Sequence, residues 1–583
     1  MKVFFELKWY FLQEKRAYIS GVLLLLFVAM LQLIPPKVIG IVVDQIRSGS
    51  LSSAGLMQWI AIVIIVALAM YVLRFYWRIM IFGSAVKLSR ILREQLYDHF
   101  TRMSSSFYQK RRVGDLMAHA TNDLQAIQMT AGAGVLTFVD SLATGGFVII
   151  AMAATISWKL TLICLIPMPV MALLTSWYGS LLHKRFHKAQ EAFSSLNDKT
   201  QESINGIKVI KTFGQEKEDI EDFRRQSQEV VEKNLSVAKI DSLFDPTISL
   251  IVGICFFLSI SFGARFVLNG ELTIGQLVSF TTYLGLLIWP MLAFGWLFNI
   301  VERGSASYDR VRALLSEKAE IVDHEDALHE VPEGDISYHI VSFMYPGEAS
   351  SVLQNIFFTL ERGGTLGVVG KTGSGKTTLL KLLIREFDVT EGSIKIGSHN
   401  IHDYRVECLR EAIGYVPQDH FLFSATVAEN IAFTNPNASK DEIEHAAKLA
   451  NIHEDILLFT DGYETVVGER GVSLSGGQKQ RISIARALMM NPEILILDDS
   501  LSAVDAKTEE AIISALRDNR SGKTTMITSH RLSAIQHANL ILVLEDGKIS
   551  GQGTHEDLMA EDGWYKDMYL RQQLEELVEH GGR

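Results

Sequence analysis

Cysteine is nearly absent: Cys164, Cys255 and Cys408 are the only three in 583 residues, and no two are close in sequence. That usage argues against a disulfide framework or a zinc site and predicts three small buried side chains. Positive charge is also in deficit. The net charge is −11, without the basic excess that a nucleic-acid binder needs to neutralise phosphates. A cleavable-signal pattern is missing from the N-terminus. Residues 1–17 instead mix Phe, Trp and Tyr with Lys2, Lys8, Lys15 and Arg16 and the acids Glu6 and Glu14. This mixture predicts an amphipathic helix on the inner membrane face.

Long apolar runs are what the chain has in place of these. Its mean hydropathy is positive, as expected of a membrane protein, and its length exceeds one hydrophobic core. Six stretches can cross a bilayer: Tyr18–Val43, Leu56–Ile81, Ala131–Ile156, Leu160–Leu182, Thr247–Leu268 and Gln276–Val301. The connections after spans two and four, residues 82–130 and 183–246, are long and rich in Lys and Arg. The positive-inside rule puts them, and both termini, in the cytoplasm. They read as helical hairpins turning near Val113-Gly114-Asp115-Leu116 and Phe213-Gly214-Gln215-Glu216. Short helices at those turns would dock on a cytoplasmic domain and pass its motion to the membrane.

Within the spans, Asp140 is costly at membrane depth and needs a partner: a cationic substrate, Arg74 or Arg78, or an interface. Phe256, Phe257, Trp289, Phe294, Trp296 and Phe298 can line a cavity for flat apolar molecules or serve as packing and lipid-facing surface. Pro290 predicts a kink in span six. Residues 18–315 thus read as a membrane domain, 316–333 as a linker and 334–583 as a second domain with strand–helix alternation.

In that second domain the apolar strand Leu366-Gly367-Val368-Val369 runs into Gly370-Lys371-Thr372-Gly373-Ser374-Gly375-Lys376-Thr377, then an apolar helix from Thr378. This is a Walker A loop in the strand–loop–helix setting that confirms it. Its glycines let backbone N–H groups face phosphates at a helix N-terminus. Lys376 should reach the β- and γ-phosphates of ATP, and Thr377 should ligate Mg²⁺. Ile494-Leu495-Ile496-Leu497-Asp498 reads as a Walker B strand whose Asp498 holds Mg²⁺. Asp499 follows, where a general base orients the attacking water. It stands in place of the expected Glu. Its carboxylate is one methylene shorter, a retreat of about 1 Å, and a misplacement of that size can cost roughly 10²-fold in rate. This predicts ATP binding with impaired hydrolysis.

Leu474-Ser475-Gly476-Gly477-Gln478 is similar to the signature of an ATP-binding cassette, and the ordered motif set resembles an ABC exporter nucleotide-binding domain. Tyr345 resembles the A-loop aromatic that stacks on adenine. Gln418 resembles the Q-loop glutamine, which contacts Mg²⁺ and senses the membrane domain. Val467-Gly468-Glu469-Arg470-Gly471 resembles the X-loop and Ser502-Ala503-Val504-Asp505 the D-loop. His530 resembles the switch histidine on the γ-phosphate. Phe107-Tyr108, Gly114-Asp115-Leu116 and Thr121-Asn122-Asp123 resemble the first intracellular loop of exporters, and residues 206–211 the second. The stretch from Leu474 through Asp505, with its double Asp498-Asp499, resembles the C-type half of Gram-positive heterodimeric multidrug exporters, the BmrCD, LmrCD and EfrCD kind.

The resemblance implies a six-helix exporter membrane domain followed by an α/β P-loop cassette. It implies ATP and Mg²⁺ as ligands, with Asp499, His530 and Gln418 at the reacting phosphate and Thr377, Gln418 and Asp498 at the metal. Nucleotide contacts fall to Tyr345, Gly370, Thr372 to Thr378, Gln418 and His530, and, across a dimer, to Ser475, Gly476, Gly477, Gln478 and Asp505. In the family each ATP lies between two cassettes. A second half-transporter supplying the missing Glu is therefore implied, with membrane lipid and an amphipathic small-molecule substrate as further partners. A homodimer exporting lipid or peptide with slow turnover through Asp499, and a nucleotide-gated regulator or channel, stay open as alternatives.

Overall fold

The structure, a computed structural model, describes residues 2–348, 350–468 and 474–581. The chain forms two compact units. The first is residues 1–101 with 113–317 and the second is residues 102–112 with 318–583. The expected boundary is shifted in two places. Residues 102–112, expected in the membrane domain, belong to the second unit, where Ser106 Oγ donates to Glu320 and Lys110 Nζ lies 3.4 Å from Glu320 Oε1. Residues 318–333, read as linker, fall in the second unit and are tied into it by backbone hydrogen bonds. Leu328 N donates to Asp403 O at 2.7 Å, and Arg405 N donates to Leu328 O at 3.0 Å.

Five helical stretches of the described residues are long and apolar enough to cross a membrane: Lys15–Arg47, Ser53–Arg102, Val113–Leu165, Glu216–Leu268 and Ile274–Leu315. The expected spans one, two, three, five and six lie inside them. The Val113–Leu165 stretch is not one rod. Ser157 is extended (φ −161°, ψ 118°), and its hydroxyl accepts from Leu160 N, ending one helix and capping the next. The expected fourth span, Leu160–Leu182, is made of two pieces, Trp158–Leu165 and Pro167–Asn205. Pro167 has no N–H to continue the ladder, so the helix breaks just ahead of it. The first span breaks likewise between Lys15–Leu31 and Ile34–Arg47, ahead of Pro35 and Pro36. Span six breaks at Leu287, three residues before Pro290, where the proline ring displaces the carbonyls one turn back. The expected N-terminal helix is also two pieces, Lys2–Glu6 and Lys8–Gln13, parted at Leu7.

Side chains tie these broken helices together. The Thr273 capping box starts the Ile274–Leu286 helix. Asp44, at the end of span one, accepts from Thr273 Oγ1 at 2.5 Å and from Gly275 N at 2.8 Å. The backbones approach so closely there that a Cβ on Gly275 would lie 2.0 Å from Gly40 O. Two π-helical turns, His119–Asp123 and Thr130–Gly134, interrupt the helix that enters span three. Each meets the last membrane helix, Ile288–Leu315. Asp123 accepts from Arg310, and from Ser307 Oγ at 2.8 Å, with His119 Nδ1 2.7 Å away. Thr130 Oγ1 donates to Ile300 O at 3.0 Å. The N-terminal pieces hold the same helix through Lys2–Asp309 at 3.0 Å and Trp9 Nε1 donating to Tyr308 OH at 3.3 Å. Short helices do form at both hairpin turns, Val113–Ala118 and Ile207–Thr212.

The second unit is built on a six-stranded sheet in the order Lys548–Gly553, Leu540–Glu545, Thr365–Gly370, Thr524–Thr528, Ile494–Asp498, Ile413–Val416. All neighbours are parallel except the antiparallel edge strand Lys548–Gly553. Successive residues alternate faces, so Ile494 and Ile496 enter one core and Leu495 and Leu497 another. Burial on both faces explains why this strand reads as an unbroken apolar run. A four-stranded antiparallel sheet, Leu353–Leu360, Ile336–Phe343, Glu391–Ile396 and His399–Asn400, covers one side. Cys164 and Cys255 are buried as expected, whereas Cys408 is only half-buried and all three are free thiols.

Candidate active site

The parallel strands end together, and the chemistry collects at their carboxyl ends, where open α/β sheets bind ligands. Thr365–Gly370 delivers the Walker A loop. Gly370 has φ 146°, and a Cβ there would lie 2.1 Å from Leu544 O, so only glycine fits. Gly375, at φ 99°, starts the helix Lys376–Leu383. Lys376 Nζ donates to Gly370 O at 2.9 Å and to Lys371 O at 3.0 Å, folding back over its own loop. Burial pulls the Lys376 ammonium below its ordinary range, against the attraction of Asp499 and Asp498. Among the described residues the buried Ser374 hydroxyl has no hydrogen-bond partner. Thr372 and Gly373 are exposed at the tip. An anion at this cradle would meet an ammonium, a free hydroxyl and a helix N-terminus, so the residues present fit a nucleotide phosphate.

Asp498 is 1% exposed and is met by three hydroxyls. Thr377 Oγ1 donates to Oδ1 at 3.0 Å, Thr528 Oγ1 donates to Oδ1 at 2.8 Å, and Tyr415 OH donates to Oδ2 at 3.1 Å. This is an all-oxygen group of the hardness that suits Mg²⁺. Parallel register makes it: Thr528 pairs with Asp498, and Tyr415 pairs with Ile496. Burial, reinforced by Asp498, pushes the Tyr415 phenol well above its ordinary range. Asp499 follows in the left-handed region at φ 45°. Its N–H donates to Thr528 Oγ1 at 2.8 Å, and its carboxylate accepts from Gln418 Nε2 at 3.3 Å. Burial raises its pKa above 3.8. The Asp498 charge adds to that rise, while His530, Lys376 and the Gln418 hydrogen bond oppose it.

Tyr345 is tied to the loop, its OH 2.8 Å from Thr378 Oγ1, with its ring edge-on to Phe343 and Phe387. His530 is exposed, and its carbonyl accepts from Gln572 Nε2 at 2.7 Å while Leu532 N donates to Gln572 Oε1 at 2.9 Å. The signature residues lie elsewhere. Ser475 caps the helix Gly476–Met489, closing a capping box with Gln478, which also donates to Asp455 Oδ1 at 3.2 Å. Among the described residues no hydrogen bond joins Ser475, Gly476, Gly477 or Gln478 to residues 370–378. Asp505 caps the helix Ala506–Asn519 and is held below the ordinary carboxylate range by Thr508. The X-loop residues Glu469, Arg470 and Gly471 lie outside the described residues, as does the Phe294 side chain. Of the other aromatics expected in a cavity, Phe256 packs on the membrane core, while Phe257, Trp289, Trp296 and Phe298 are exposed on this single chain.

Residues 18–291 match the family described as ABC transporter transmembrane region, and residues 353–502 the family described as ABC transporter. The chain belongs to the ABC transporter family. It is 48% identical over 98% of its length, and 97% of the relative's, to the Probable multidrug resistance ABC transporter ATP-binding/permease protein YheI of Bacillus subtilis (strain 168). It is 50% identical to the Multidrug resistance-like ATP-binding protein MdlA of Escherichia coli (strain K12), covering 99% of this chain and 97% of that one. Among solved structures it is similar to a bacterial Atm1-family ABC exporter with ATP bound, at a TM-score of 0.80 and 26% identity, over 96% and 98% of the two chains. This ABC transporter is therefore an ATP-binding, ATP-driven exporter half, a multi-pass membrane protein with its ATPase cassette fused to the membrane domain.

Several residues of this exporter's site were not anticipated as such. Tyr415 and Thr528 serve Asp498 through sheet register alone. Gln480, fully buried in the signature helix, accepts from Ala503 N at 3.1 Å and donates to Asp499 O at 3.5 Å. It thus links the signature helix to the D-loop and the end of the Walker B strand. Gln572 grips the backbone on both sides of Arg531 from the C-terminal helix. The only sequence signal for Gln480 and Gln572 is polarity within otherwise unremarked helices.

Proposed function

We propose that this chain is one half of a heterodimeric exporter of amphipathic drugs, whose own Walker site hydrolyses ATP slowly. Its intact signature would complete the partner's site. The observation that carries this reading is Asp499. Its carboxylate ends one methylene short of a Glu and is engaged by Gln418, so it is poorly extended toward the water it would polarise. Binding has what it needs. Backbone N–H groups from Gly373 to Thr378, with Lys376, would receive the phosphates, and Tyr345 would take the adenine. Thr377, Asp498 and Gln418 would hold Mg²⁺, which when bound neutralises charge on the β- and γ-phosphates. His530 would contact the γ-phosphate, and Asp505 would face the second cassette.

The signature supports service to another chain. Ser475 and the N-terminus of a 14-residue helix are preorganised by the capping box, and such an end favours an anion. The long intracellular helices would carry cassette closure to the membrane half, which opens outward, and hydrolysis at the partner's site would reset it. The printed names of two relatives, one a probable multidrug resistance transporter and the other multidrug resistance-like, favour drugs as cargo. Basic loops 82–130 and 183–246 favour a bacterial plasma-membrane protein with both termini and the cassette in the cytoplasm.

The test is the ATPase activity of this chain purified alone, beside the chain co-expressed with a partner half-transporter. The expected result is low activity alone, restored by the partner and abolished when the partner's Glu is replaced by Gln. Full activity alone, lost in Asp499→Asn, would make Asp499 a working base and the chain a homodimer.

A further inference from the structure

We propose that the membrane end of the second cytoplasmic hairpin is a binding site for the phosphate of an anionic phospholipid. The inference goes beyond transport and uses only the cytoplasmic placement of residues 183–246. Two helices of the first unit form the site, Pro167–Asn205 and Glu216–Asp241. Between them lies an open groove of about 740 Å³, within the roughly 300–1,000 Å³ of small-ligand pockets. Lys184, Arg185 and Lys188 line it from the first helix and Lys233 from the second. Among the described residues Glu191 is the only carboxylate in the lining.

These cations are short of partners. Among the described residues Lys184, Arg185 and Lys188 take part in no ion pair. Glu191 lies against His187 at 3.3 Å instead, and Lys233 is 3.9 Å from Glu229, a surface pair of little worth. Arg185 donates to Ser236 Oγ and so bridges the two helices. The next groove along the hairpin is the reverse. Asp198, Glu202, Asp222 and Glu229 line it, and its Lys199 is held by Asp219 at 2.8 Å and Asp222 at 3.2 Å. Unpaired positive charge thus gathers at the membrane end, and the lysine further out is neutralised.

The first helix points to lipid as the source of the phosphate. Ile166, Val170, Leu173 and Trp177 are each more than half exposed on this chain, and steps of three and four residues put them on one face. The same steps carry that face through Leu181 to Lys184 and Lys188. One exposed face therefore changes from apolar to cationic within about two turns. An exposed Trp at such a border marks the membrane interface. Lys184 is seven residues further on, about 10 Å along the helix. Helical side chains lean toward the N-terminus, here the membrane side, which aims both lysines back at headgroup depth. Lysines and an arginine suit a phosphate, and the apolar face beside them suits acyl chains. A soluble phosphate has no use for that face, and a zwitterionic headgroup brings an ammonium that the lysines repel. An anionic phospholipid satisfies both parts.

The experiment is native mass spectrometry of the full-length exporter dimer in detergent, titrated with phosphatidylglycerol or phosphatidylcholine, with inorganic phosphate as competitor. The wild type is expected to bind phosphatidylglycerol in preference, undisturbed by millimolar phosphate. Lys184→Gln with Lys188→Gln is expected to weaken that binding by about 25-fold, at roughly fivefold for each basic residue. Lys184→Arg with Lys188→Arg should keep it. Lys217→Gln with Arg224→Gln removes the same charge from the far end of the hairpin and should leave it unchanged. Equal weakening by the two charge-removing pairs would mean general attraction and overturn the proposal. So would unchanged binding in the Lys184 and Lys188 pair, or equal binding of phosphatidylcholine. Displacement by inorganic phosphate would assign the groove to a soluble anion and overturn the lipid. Loss of the dimer in the Lys184→Gln, Lys188→Gln spectra would make the groove a contact between subunits, which also overturns it.

Discussion

Asp499 takes a left-handed backbone, φ 45°, that Asp and Asn adopt more readily than longer side chains. Asp499→Glu should therefore do two opposite things. It should raise single-turnover hydrolysis at this chain's own site by roughly 10- to 100-fold, since a misplacement of about 1 Å carries that penalty. It should also strain the backbone slightly. The measurement is single turnover in a heterodimer whose partner Glu has been silenced; no gain in rate would mean that side-chain length is not what limits this site. The raised Asp499 pKa gives a pH signature. The base form is lost as pH falls through a value above 3.8, so residual turnover should decline on acidification before an ordinary carboxylate would titrate. Asp499→Asn should erase that limb.

Thr528 makes a second residue-scale case. It donates to Asp498 and accepts from Asp499 N, at 2.8 Å each, and it is 2% exposed. Thr528→Val keeps the shape and removes both bonds. It should cost about 1–3 kcal/mol of stability through the lost bond to the buried Asp498 carboxylate, Asp499 N keeping its bond to Thr528 O at 3.1 Å, and weaken Mg²⁺-dependent ATP binding by roughly 10- to 100-fold, the usual effect of losing a supporting bond to a metal ligand. Denaturation and nucleotide titration against Mg²⁺ measure the two separately.

At the scale of elements, prolines and caps set the shape of the membrane half. Pro35, Pro36, Pro167 and Pro290 each follow a helix break, with no side-chain cap on the helix that restarts, whereas elsewhere a local cap or a residue from a distant helix secures a helix start. Asp44 does this for the Ile274–Leu286 helix from the end of span one. Asp44→Ala should lower thermal stability in detergent by about 1 kcal/mol, as for loss of an N-cap. Asp44→Asn retains an acceptor and should lose less. The span-six kink was legible because Pro290 sits inside an apolar run. The split at Pro167 was not, because apolar composition continues straight through it and hydropathy does not register a missing N–H.

At the scale of the molecule, residues 102–112 are grouped with the cassette rather than with the long helix that leads into them. On ATP addition, amide exchange in Ser105–Gln109 should change with the second unit and not with Ser53–Arg102. Exchange that follows the membrane helix would contradict this grouping. Glu320 is the residue to alter first, since it receives both Ser106 and Lys110, and Glu320→Gln should uncouple the two responses.

The amino-acid sequence by itself determined the two-part architecture, the Walker loop, the Walker B strand and the Asp at position 499. Each of these is local: a span needs a run of apolar residues, a buried parallel strand needs another, and a phosphate loop needs glycines at fixed offsets before a helix. Tertiary structure alone decided which groups surround them. Tyr415 and Thr528 reach Asp498 because three parallel strands lie in register. Gln480 reaches Asp499 through helix packing, and Asp123, at the end of a π turn, meets Arg310 on the helix packed against it. Such contacts join residues tens or hundreds of positions apart. They depend on strand order, register and helix rotation, which the buried faces of the whole fold set together and which no local spacing encodes.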